Sequence, residues 1–318
     1  MTAEDDPALF HAPHRAGRRF FNPWNPETRG VPDLLRWWLG RNPYGRHGPP
    51  EVPVVENDGA YLARAGEPAS ITWVGHASFA VQDGPDVALL DPVWGPRALL
   101  PPRLTPPGIP LAAVPGHAFA LLSHNHYDHL DAWTVERLPG IAWFVPLGLG
   151  RWFRGRGAGP VVELDWWQSA RHGRFTLTCL PAQHWSNRLD AGRNATLWCS
   201  WLLEWAGRRV YFAGDTGYYG GFAEIGRRFP GIDAALLPIG AYEPRWFMCL
   251  QHMDPQEALA AFRDLGAAHL LPMHWGVFDL TDEPVDLAPK VLAREVALGG
   301  ADPALVHTLA IGERWLLP

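Results

Sequence analysis

The sequence predicts an α/β (α+β) fold in which two mixed β-sheets stack on each other and are flanked by helices. Short apolar segments with the pattern of strands come first in a run, between residues 71 and 91. Further along the chain, strand segments alternate with helical ones, as expected when helices cover the outer faces of sheets. Polar residues follow several of these apolar segments directly. The same pattern therefore predicts a functional site where the strands end.

Apolar periodicity and turn residues define the individual elements. Pro255 after Asp254 is a good helix start, because proline fits the first helical turn and aspartate caps it. A long proline-rich loop is expected over residues 92–117. Strands are predicted at 71–74, 78–81, 87–91, 119–122, 142–145, 161–164, 175–180, 196–205, 210–213, 234–237 and 269–273. Helices are predicted at 32–39, 131–138, 222–229, 255–265 and 289–298.

Composition narrows the class of protein. The chain has 318 residues, of which 47% are hydrophobic, and a net charge of −6. This acidic balance argues against a broad basic surface for nucleic acid. Three cysteines are too few and too scattered for a disulfide framework or a cysteine-rich zinc site. The N-terminus is acidic and lacks the layout of a signal peptide, and no apolar run is long enough to span a membrane, so a cytoplasmic protein is expected.

The chain is predicted to divide into an N-terminal arm, residues 1–60, and a main domain, residues 61–318. The arm is rich in proline, glycine and arginine and shows little periodicity. Its aromatic residues, among them Trp24, Trp37 and Trp38, indicate that it packs on the main domain, since disordered segments are usually poor in them. The alternative is a disordered tail.

The stretch FALLSHNHYDHLD, residues 119–131, places four metal-binding side chains at the end of one apolar segment. His124 and His126 are two residues apart and point the same way on extended backbone. Asp128 and His129 follow at a turn and can reach a second, adjacent point. Imidazole and carboxylate are ligands that suit zinc and related divalent ions. The alternative is a loop with three solvent-exposed histidines.

Three more candidate ligands follow later strands. His184, Asp215 and His274 each come directly after an apolar segment. A carboxylate such as Asp215 can bridge two ions about 3.5–4 Å apart. A lone histidine after a strand is often structural, so these assignments depend on whether the residues meet at one place.

The order His-x-His-x-Asp-His resembles the signature of the metallo-β-lactamase superfamily. The resemblance implies an αββα sandwich and a dinuclear site with two Zn²⁺ per chain. One ion would take His124, His126, His184 and Asp215, and the other would take Asp128, His129, His274 and Asp215.

The resemblance also implies how such a site would act. Divalent metals lower the pKa of bound water towards about 7, so a hydroxide between the ions is the expected nucleophile. Asp128 is expected to bind metal and to orient that hydroxide. Many β-lactamases of this fold have a cysteine ligand where this chain has Asp215, which favours phosphodiester, thioester or lactone hydrolysis.

Several longer segments resemble the N-acylphosphatidylethanolamine-hydrolysing phospholipase D family. That family has a dinuclear zinc site, cleaves N-acylated ethanolamine phospholipids to phosphatidic acid and an N-acylethanolamine, associates peripherally with membranes and forms homodimers. The most specific match is GAYEPRWFMCLQHMDPQEA. The others are ITWVGHASFAVQ, DPVWGPRA, SHNHYDHLD, PLGLGRWF, ELDWWQS and HWGVF, and together they cover most of residues 71–278. The N-terminal arm matches least, and it is expected to control lipid access rather than chemistry.

One loop is expected to bind substrate. Tyr242, Trp246 and Phe247 can line an apolar channel, although aromatic residues often only fill a core. Gln251 and His252 can hydrogen-bond a head group or leaving group, and an unperturbed pKa near 6.5 would let His252 donate a proton at neutral pH. The alternative for His252 is a cap on the following helix.

Three further residues are predicted to orient the ligands. His76 and Asp91 occur where the family places strand-end residues near the site, and Asp165 is a further candidate. The competing interpretation is a buried hydrogen-bonded histidine and turn aspartates.

Three classes of function stay open at this point. The first is a zinc phosphodiesterase acting on phospholipid or another phosphodiester. The second is a zinc hydrolase of a small ester or lactone, resembling L-ascorbate-6-phosphate lactonases. The third is a binding protein without turnover. The complete ligand set disfavours the third class, and the aromatic loop favours the first over the second.

Overall fold

Two mixed β-sheets form the centre of the molecule. The structure is a computed structural model that describes residues 6–27, 29–45 and 48–318. The seven-stranded sheet has the order β15-β3-β4-β5-β6-β7-β8, from strands β3 (Ser70–Gly75), β4 (Ser78–Asp83), β5 (Asp86–Leu90), β6 (Phe119–Leu121), β7 (Ala142–Pro146), β8 (Val161–Leu164) and β15 (Arg314–Leu316). The six-stranded sheet has the order β14-β13-β12-β11-β10-β9, from strands β9 (Ser169–His172), β10 (Phe175–Leu180), β11 (Ser200–Trp205), β12 (Arg208–Phe212), β13 (Ala234–Pro238) and β14 (His269–Met273).

Both sheets combine antiparallel and parallel pairs. In the seven-stranded sheet, β5 through β8 run parallel to one another. In the six-stranded sheet, β12, β13 and β14 are parallel. The helices are α1 (Val31–Leu39), α2 (Ala132–Val135), α3 (Gly150–Arg154), α4 (Gly221–Arg228), α5 (Arg245–Met248), α6 (Pro255–Leu265) and α7 (Leu287–Glu295). A two-stranded ribbon, β1 (Arg15–Ala16) and β2 (Arg19–Phe20), precedes them.

The strands near the centre are apolar on both faces. Leu90 and Leu121 pack in the large core between the sheets, whereas Leu89 and Ala120 pack in a second core on the other face of the same sheet. The second core is closed by residues of the α2–α3 region, such as Phe153. Successive residues of a strand point to opposite faces, so continuous apolar runs are what a sheet covered on both sides requires. The predicted αββα sandwich is confirmed.

This arrangement gathers strand ends from both sheets at one place. The motif stretch after β6 belongs to the seven-stranded sheet, and residues after β10, β12 and β14 come from the six-stranded sheet. The candidate ligands on these segments are polar residues at the edge of an apolar core. Crossing a bilayer takes a long apolar helix, and none of the helices in the described ranges meets that requirement.

The prediction of one long strand over residues 196–205 is wrong in its first part. Strand β11 begins only at Ser200. The N–H of Leu197 donates to the carbonyl of Leu147 at 2.8 Å, and that of Cys199 donates to the carbonyl of Ser123 at 2.9 Å. The segment before Ser200 therefore bridges to the other sheet instead of extending its own.

The other differences are at element ends and in short elements. The helix predicted at 131–138 is α-helical only from Ala132 to Val135, because the amides of Arg137 and Leu138 bond three residues back and tighten the turn. The helix predicted at 289–298 begins at Leu287, and a wider turn follows it over Val296–Gly300. Strands β9 and β15 and helices α3 and α5 have six residues or fewer, which is too short for a periodic signal.

The N-terminal arm has two parts with different surroundings. Its first part packs into the core between the sheets through Phe10, Phe20 and Trp24. Its second part, α1, has no buried residue and exposes apolar side chains such as Leu35 and Trp38. The first part of the arm is thus part of the folded core, and α1 lies on the surface.

We expect Trp24→Ala to lower the free energy of unfolding by about 3–5 kcal/mol, as large-to-small changes in cores do. The Trp24 side chain is 4% exposed, and its ring lies 5.2 Å from Phe10 and 5.1 Å from Tyr219. Trp38→Ala is the matched control, because that side chain is 78% exposed and should change stability by only about 0.5 kcal/mol. Urea unfolding measures both changes. Equal stability of the two variants would show that the arm is not part of the cooperative core.

Candidate metal centre

The first group of donors joins the motif stretch to two later strands. His124 Nε2 lies 2.9 Å from His126 Nδ1, and His184 Nε2 lies 3.2 Å from the same atom. The Oδ2 atom of Asp215 is 3.7 Å from His124 Nε2 and 3.8 Å from His184 Nε2. All four atoms therefore surround one point.

The second group lies beside the first and shares Asp215 with it. His129 Nε2 is 3.1 Å from Asp215 Oδ2, and His274 Nε2 is 3.0 Å from Asp215 Oδ1. Asp128 Oδ2 is 3.6 Å from His129 Nε2 and 3.4 Å from His274 Nε2. The carboxylate of Asp215 thus touches both groups, and the structure brings all seven predicted ligands together.

The donor atoms fit metal ions in spacing and in chemistry. Two ligands of a tetrahedral zinc ion with bonds of about 2.0–2.1 Å are roughly 3.4 Å apart, close to the separations within each group. Buried donors without a hydrogen-bond partner point to a missing ligand, because such atoms are normally satisfied. Among the described residues, the donors of the two groups in this state include His129 Nε2, Asp215 Oδ1 and His274 Nε2.

The electrostatics of the cluster favour a cation. Burial lowers the pKa of His124 and His184 well below the usual value, which keeps these imidazoles neutral and able to bind metal. Burial also opposes charge on His274, yet the Asp215 carboxylate raises its pKa to about 9. Asp215 has the reverse shift, since the charges of His129 and His274 overcome its burial and hold its pKa well below the usual range. The negative charge of the buried carboxylates therefore has to be balanced by positive charge at the same place.

A third carboxylate, Asp91, orients the imidazoles from behind. It is fully buried and accepts hydrogen bonds from His129 Nδ1 at 2.6 Å and from the amide of Ser123 at 2.6 Å. The Ser123 hydroxyl donates to Asp91 at 2.5 Å and lies 2.9 Å from His124 Nδ1. These contacts leave the Nε2 lone pairs of His124 and His129 for a metal. Asp91 therefore lies on the Nδ1 side of the ligand imidazoles, away from the point that the donor atoms surround.

Other contacts fix the remaining ligands. The backbone carbonyl of Gln251 accepts from His184 Nδ1 at 3.0 Å, so His184 presents Nε2 to the centre. His76 Nε2 lies 3.0 Å from Asp128 Oδ2, and this position also makes His76 a further candidate donor, so its orienting role stays a prediction. His76, Asp91 and His274 all have positive φ angles. Such backbone is costly for residues other than glycine and tends to occur at functional sites.

Asp165 does not orient a metal ligand, the role predicted for it from the sequence. Its carboxylate accepts a hydrogen bond from His14 Nε2 at 2.7 Å and another from the amide of Trp166. His14 stacks on Trp166 with ring centroids 4.2 Å apart. Asp165 therefore attaches the N-terminal arm to the domain instead of orienting a metal ligand.

A cavity of about 610 Å³ opens above the donors. His126, Asp128 and Asp215 are at its base. Apolar residues of α1 and of the α5 region form much of its wall, and Phe247, Gln251 and His252 line it as predicted. The larger apolar and aromatic wall residues are Val31, Leu34, Trp37, Leu99, Tyr127, Trp185, Phe247, Met248 and Leu280. Nothing in the sequence pattern predicted that α1, Tyr127 and Trp185 would line this cavity.

Two of the predicted substrate residues do not line this cavity. Tyr242 is buried in the core between the sheets, with its amide donating to Glu283 at 2.9 Å. Trp246 packs against Phe247 and lies under the Arg36 guanidinium at 4.3 Å. Adjacent residues of a short helix point in different directions, so a run of aromatic residues cannot all face one cavity.

His252 lies in the cavity but differs from the expected proton donor. Burial lowers its pKa to about 4, so the imidazole is neutral near pH 7 and the value near 6.5 assumed from the sequence is wrong for the folded chain. Its ring is 5.3 Å from that of His184 and 5.4 Å from that of His274. Its Nδ1 atom is buried without a hydrogen-bond partner among the described residues. The helix cap at Asp254 is made by the Asp254 and Glu257 side chains, so His252 is not the cap.

The arm contributes directly to the centre, which the sequence did not predict. Asn22 Nδ2 donates to the backbone carbonyl of His184 at 2.9 Å, and Asn22 Oδ1 accepts from Trp198 Nε1 at 3.1 Å. Trp24 Nε1 donates to the side chain of Gln183, the neighbour of His184. The arm therefore supports a ligand as well as lining the cavity.

Sequence comparison connects the chain to proteins with the same motifs. Residues 88–275 match the family described as a beta-lactamase superfamily domain. An N-acyl-phosphatidylethanolamine-hydrolyzing phospholipase D of Caenorhabditis elegans is 38% identical over 77% of this chain and 74% of the worm protein. A yeast mitochondrial protein described in the same words is 36% identical over 72% of this chain, but the match spans only 51% of the yeast protein. An uncharacterized protein of Mycobacterium tuberculosis is 42% identical over 68% of this chain and 60% of its own length.

Solved structures share the fold at lower identity. A metallo hydrolase from Ignicoccus hospitalis superposes with a TM-score of 0.59 at 21% identity, covering 78% of this chain and 98% of that protein. A diiron beta-hydroxylase from Streptomyces venezuelae superposes with a TM-score of 0.57 at 21% identity, covering 78% of this chain and 54% of that protein. The fold therefore occurs both in a protein described as a hydrolase and in one described as a hydroxylase.

We expect Asp91→Asn to weaken metal binding by about 10–100-fold, because loss of a carboxylate that orients ligand imidazoles typically has that effect. The change keeps all seven proposed ligands and the size of residue 91. Asp233→Asn is the matched control, since its carboxylate accepts from the amide of Arg209 at 2.7 Å and touches no donor residue or arm contact described above. Chelator competition followed by elemental analysis measures the difference. Equal metal retention in both variants would show that Asp91 has no part in holding the ligands.

Proposed function

Because the chain belongs to the metallo-β-lactamase superfamily and to its N-acylphosphatidylethanolamine-hydrolysing phospholipase D-like family, we propose that it is a dinuclear zinc phosphodiesterase acting on N-acylated phospholipid. The products would be phosphatidic acid and an N-acylethanolamine. The single observation that carries the proposal is the position of the donors. Two donor groups that share Asp215 lie at the base of a large cavity with an apolar wall.

The donor set supports zinc in both positions. Imidazole nitrogens and carboxylate oxygens without sulfur are typical of zinc hydrolases. His124, His126 and His184 would hold one ion, Asp128, His129 and His274 the other, and Asp215 both. Zinc pairs of this kind supply Lewis-acid chemistry to the phosphoryl group.

The residues of the chain position the substrate and exclude water. The Leu34 and Trp37 side chains on one wall and the Phe247 and Met248 side chains on another present apolar surface to acyl chains. The outer part of α1 exposes Leu35, Trp38 and Leu39, which would favour peripheral contact with a membrane surface. A lipid could then enter the cavity without crossing open water.

His252 would act on the leaving group as a neutral hydrogen-bonding group. It is placed beside both donor groups, and its unsatisfied Nδ1 is available for a polar atom of the substrate. The Gln251 carbonyl next to it holds His184 in position, so the same loop connects the leaving group and the metal ligands.

The direct test combines metal analysis with a lipid assay. We expect about two zinc ions per chain and release of phosphatidic acid from N-acylphosphatidylethanolamine, identified by mass spectrometry. Asp215→Asn should reduce turnover to background with little loss of fold, because asparagine keeps the size but loses the charge that both donor groups share. A water-soluble sugar lactone serves as the competing substrate. Hydrolysis of the lactone alone would refute the lipid assignment.

We expect His252→Ala to lower kcat by about 10²–10³-fold with both metals retained, the range seen when one hydrogen-bonding group at a reacting oxygen is removed. The loss should be smaller for a nitrophenyl phosphodiester, whose leaving group is already acidic. His252→Gln is the control, since an amide can still donate a hydrogen bond and should retain more activity. A variant with lower thermal stability and unchanged kcat would mean that His252 is structural.

A further inference from the structure

Two arginines in the wall of the cavity have no part in the chemistry described so far. Arg29, just before α1, and Arg193, in the loop between β10 and β11, line the same cavity as the donor residues at its base. The two arginines are linked, since Arg193 donates through Nη2 to the backbone carbonyl of Arg29 at 2.8 Å. The cavity therefore has a positively charged region in a largely apolar wall.

Ring contacts place Arg193 close to the metal ligands. Its guanidinium carbon lies 4.9 Å from the centre of the Trp185 ring, and that ring lies 4.7 Å from the ring of His126. The guanidinium is therefore no more than about 10 Å from the His126 imidazole. Stacking on Trp185 holds the flat guanidinium in place and leaves N–H groups at its edge for a ligand.

Neither arginine is neutralised by a carboxylate in the part of the chain that the structure describes. In the described ranges, no carboxylate forms an ion pair with Arg29 or Arg193. The Nε atom of Arg29 is buried and has no hydrogen-bond partner among the described residues. Burial and the nearby charge of Arg19 both lower the pKa of Arg193. A partly buried cation without a counter-charge is unfavourable, and an anionic ligand would remove that cost.

We propose that Arg29 and Arg193 bind a carboxylate on the head group of the substrate, close to the scissile phosphate. This inference rests on the proposed phospholipase function and specifies its substrate class. In an N-acylated serine phospholipid, the carboxyl carbon is four bonds from phosphorus, a short span that is compatible with the upper limit of about 10 Å between the Arg193 guanidinium and the His126 imidazole. The corresponding ethanolamine lipid is identical except that hydrogen replaces this carboxylate. Guanidinium forks bind carboxylates through paired charge-assisted hydrogen bonds, so the serine lipid should be preferred.

The experiment compares these two lipids with identical acyl chains in neutral detergent micelles. The wild-type enzyme should have a kcat/KM at least about tenfold higher for the serine lipid, the size expected for hydrogen bonds to a charged group. Arg193→Gln and Arg29→Gln should each reduce this ratio towards one. Arg137→Gln is the matched control, because Arg137 also stacks on a tryptophan, Trp133, at 4.0 Å but does not line the cavity. It should keep the wild-type ratio.

Binding of the released alcohols separates this inference from the proposed function. Calorimetry on the metal-loaded enzyme should show N-acylserine binding at least about tenfold more tightly than N-acylethanolamine, with the difference lost in Arg193→Gln. If neither lipid is hydrolysed but this binding difference holds, the phospholipase function fails and the arginine subsite stands. If lipids are hydrolysed but both arginine variants keep the wild-type ratios, the subsite is refuted. Arg29→Gln gives the same test if Arg193→Gln does not fold.

Discussion

The structure depends on the burial of three carboxylates among imidazoles where strands from two sheets end. Asp91, Asp128 and Asp215 lie within this cluster, and the first and last are almost completely inaccessible to solvent. Buried charge is costly unless it is paired and hydrogen-bonded, and these carboxylates are surrounded by histidine nitrogens and backbone amides. These contacts fix the orientation of the imidazoles that Asp91 and Asp215 touch.

The N-terminal arm is connected to this cluster by hydrogen bonds. Asn22 holds the carbonyl of His184, while Asp165 binds His14 and so attaches the same arm elsewhere. The arm then continues into α1, whose apolar side chains form part of the cavity wall. One segment therefore supports a ligand from behind and shapes the space in front of it. The expectation that the arm affects only lipid access is too narrow.

The sequence predicted the parts of the site that follow from local pattern. A dense run of histidine and aspartate after an apolar strand marked the residues from His124 to His129, and the resemblance to a known family added His184, Asp215 and His274. Residues whose position depends on tertiary packing were not predictable in this way. Asp165 follows a strand as Asp91 does, yet it faces the arm because its strand is at the edge of the sheet. The pKa of His252 likewise depends on burial that sequence does not reveal.

Helix and strand assignments show the same limit. Helix α6 begins and ends where its cap residues predict, because Asp254, Pro255 and Gly266 act locally. The segment before β11 has an apolar pattern that predicts a strand, but its amides donate hydrogen bonds to residues of the other sheet. Local rules therefore place the ends of α6, and they misassign the segment before β11 because its apolar pattern does not show which sheet its amides bond to.

Each donor group takes residues from both sheets. His124, His126, Asp128 and His129 are on the seven-stranded sheet, whereas His184, Asp215 and His274 are on the six-stranded sheet. Any ion bound there would cross-link the two sheets at one edge of the sandwich. The apolar core between the sheets consequently sets the distance between the donors. A substitution deep in that core, far from any substrate, would shift the donors and so change the metal affinity. Bound metal would in turn stabilise the packing of the two sheets against each other.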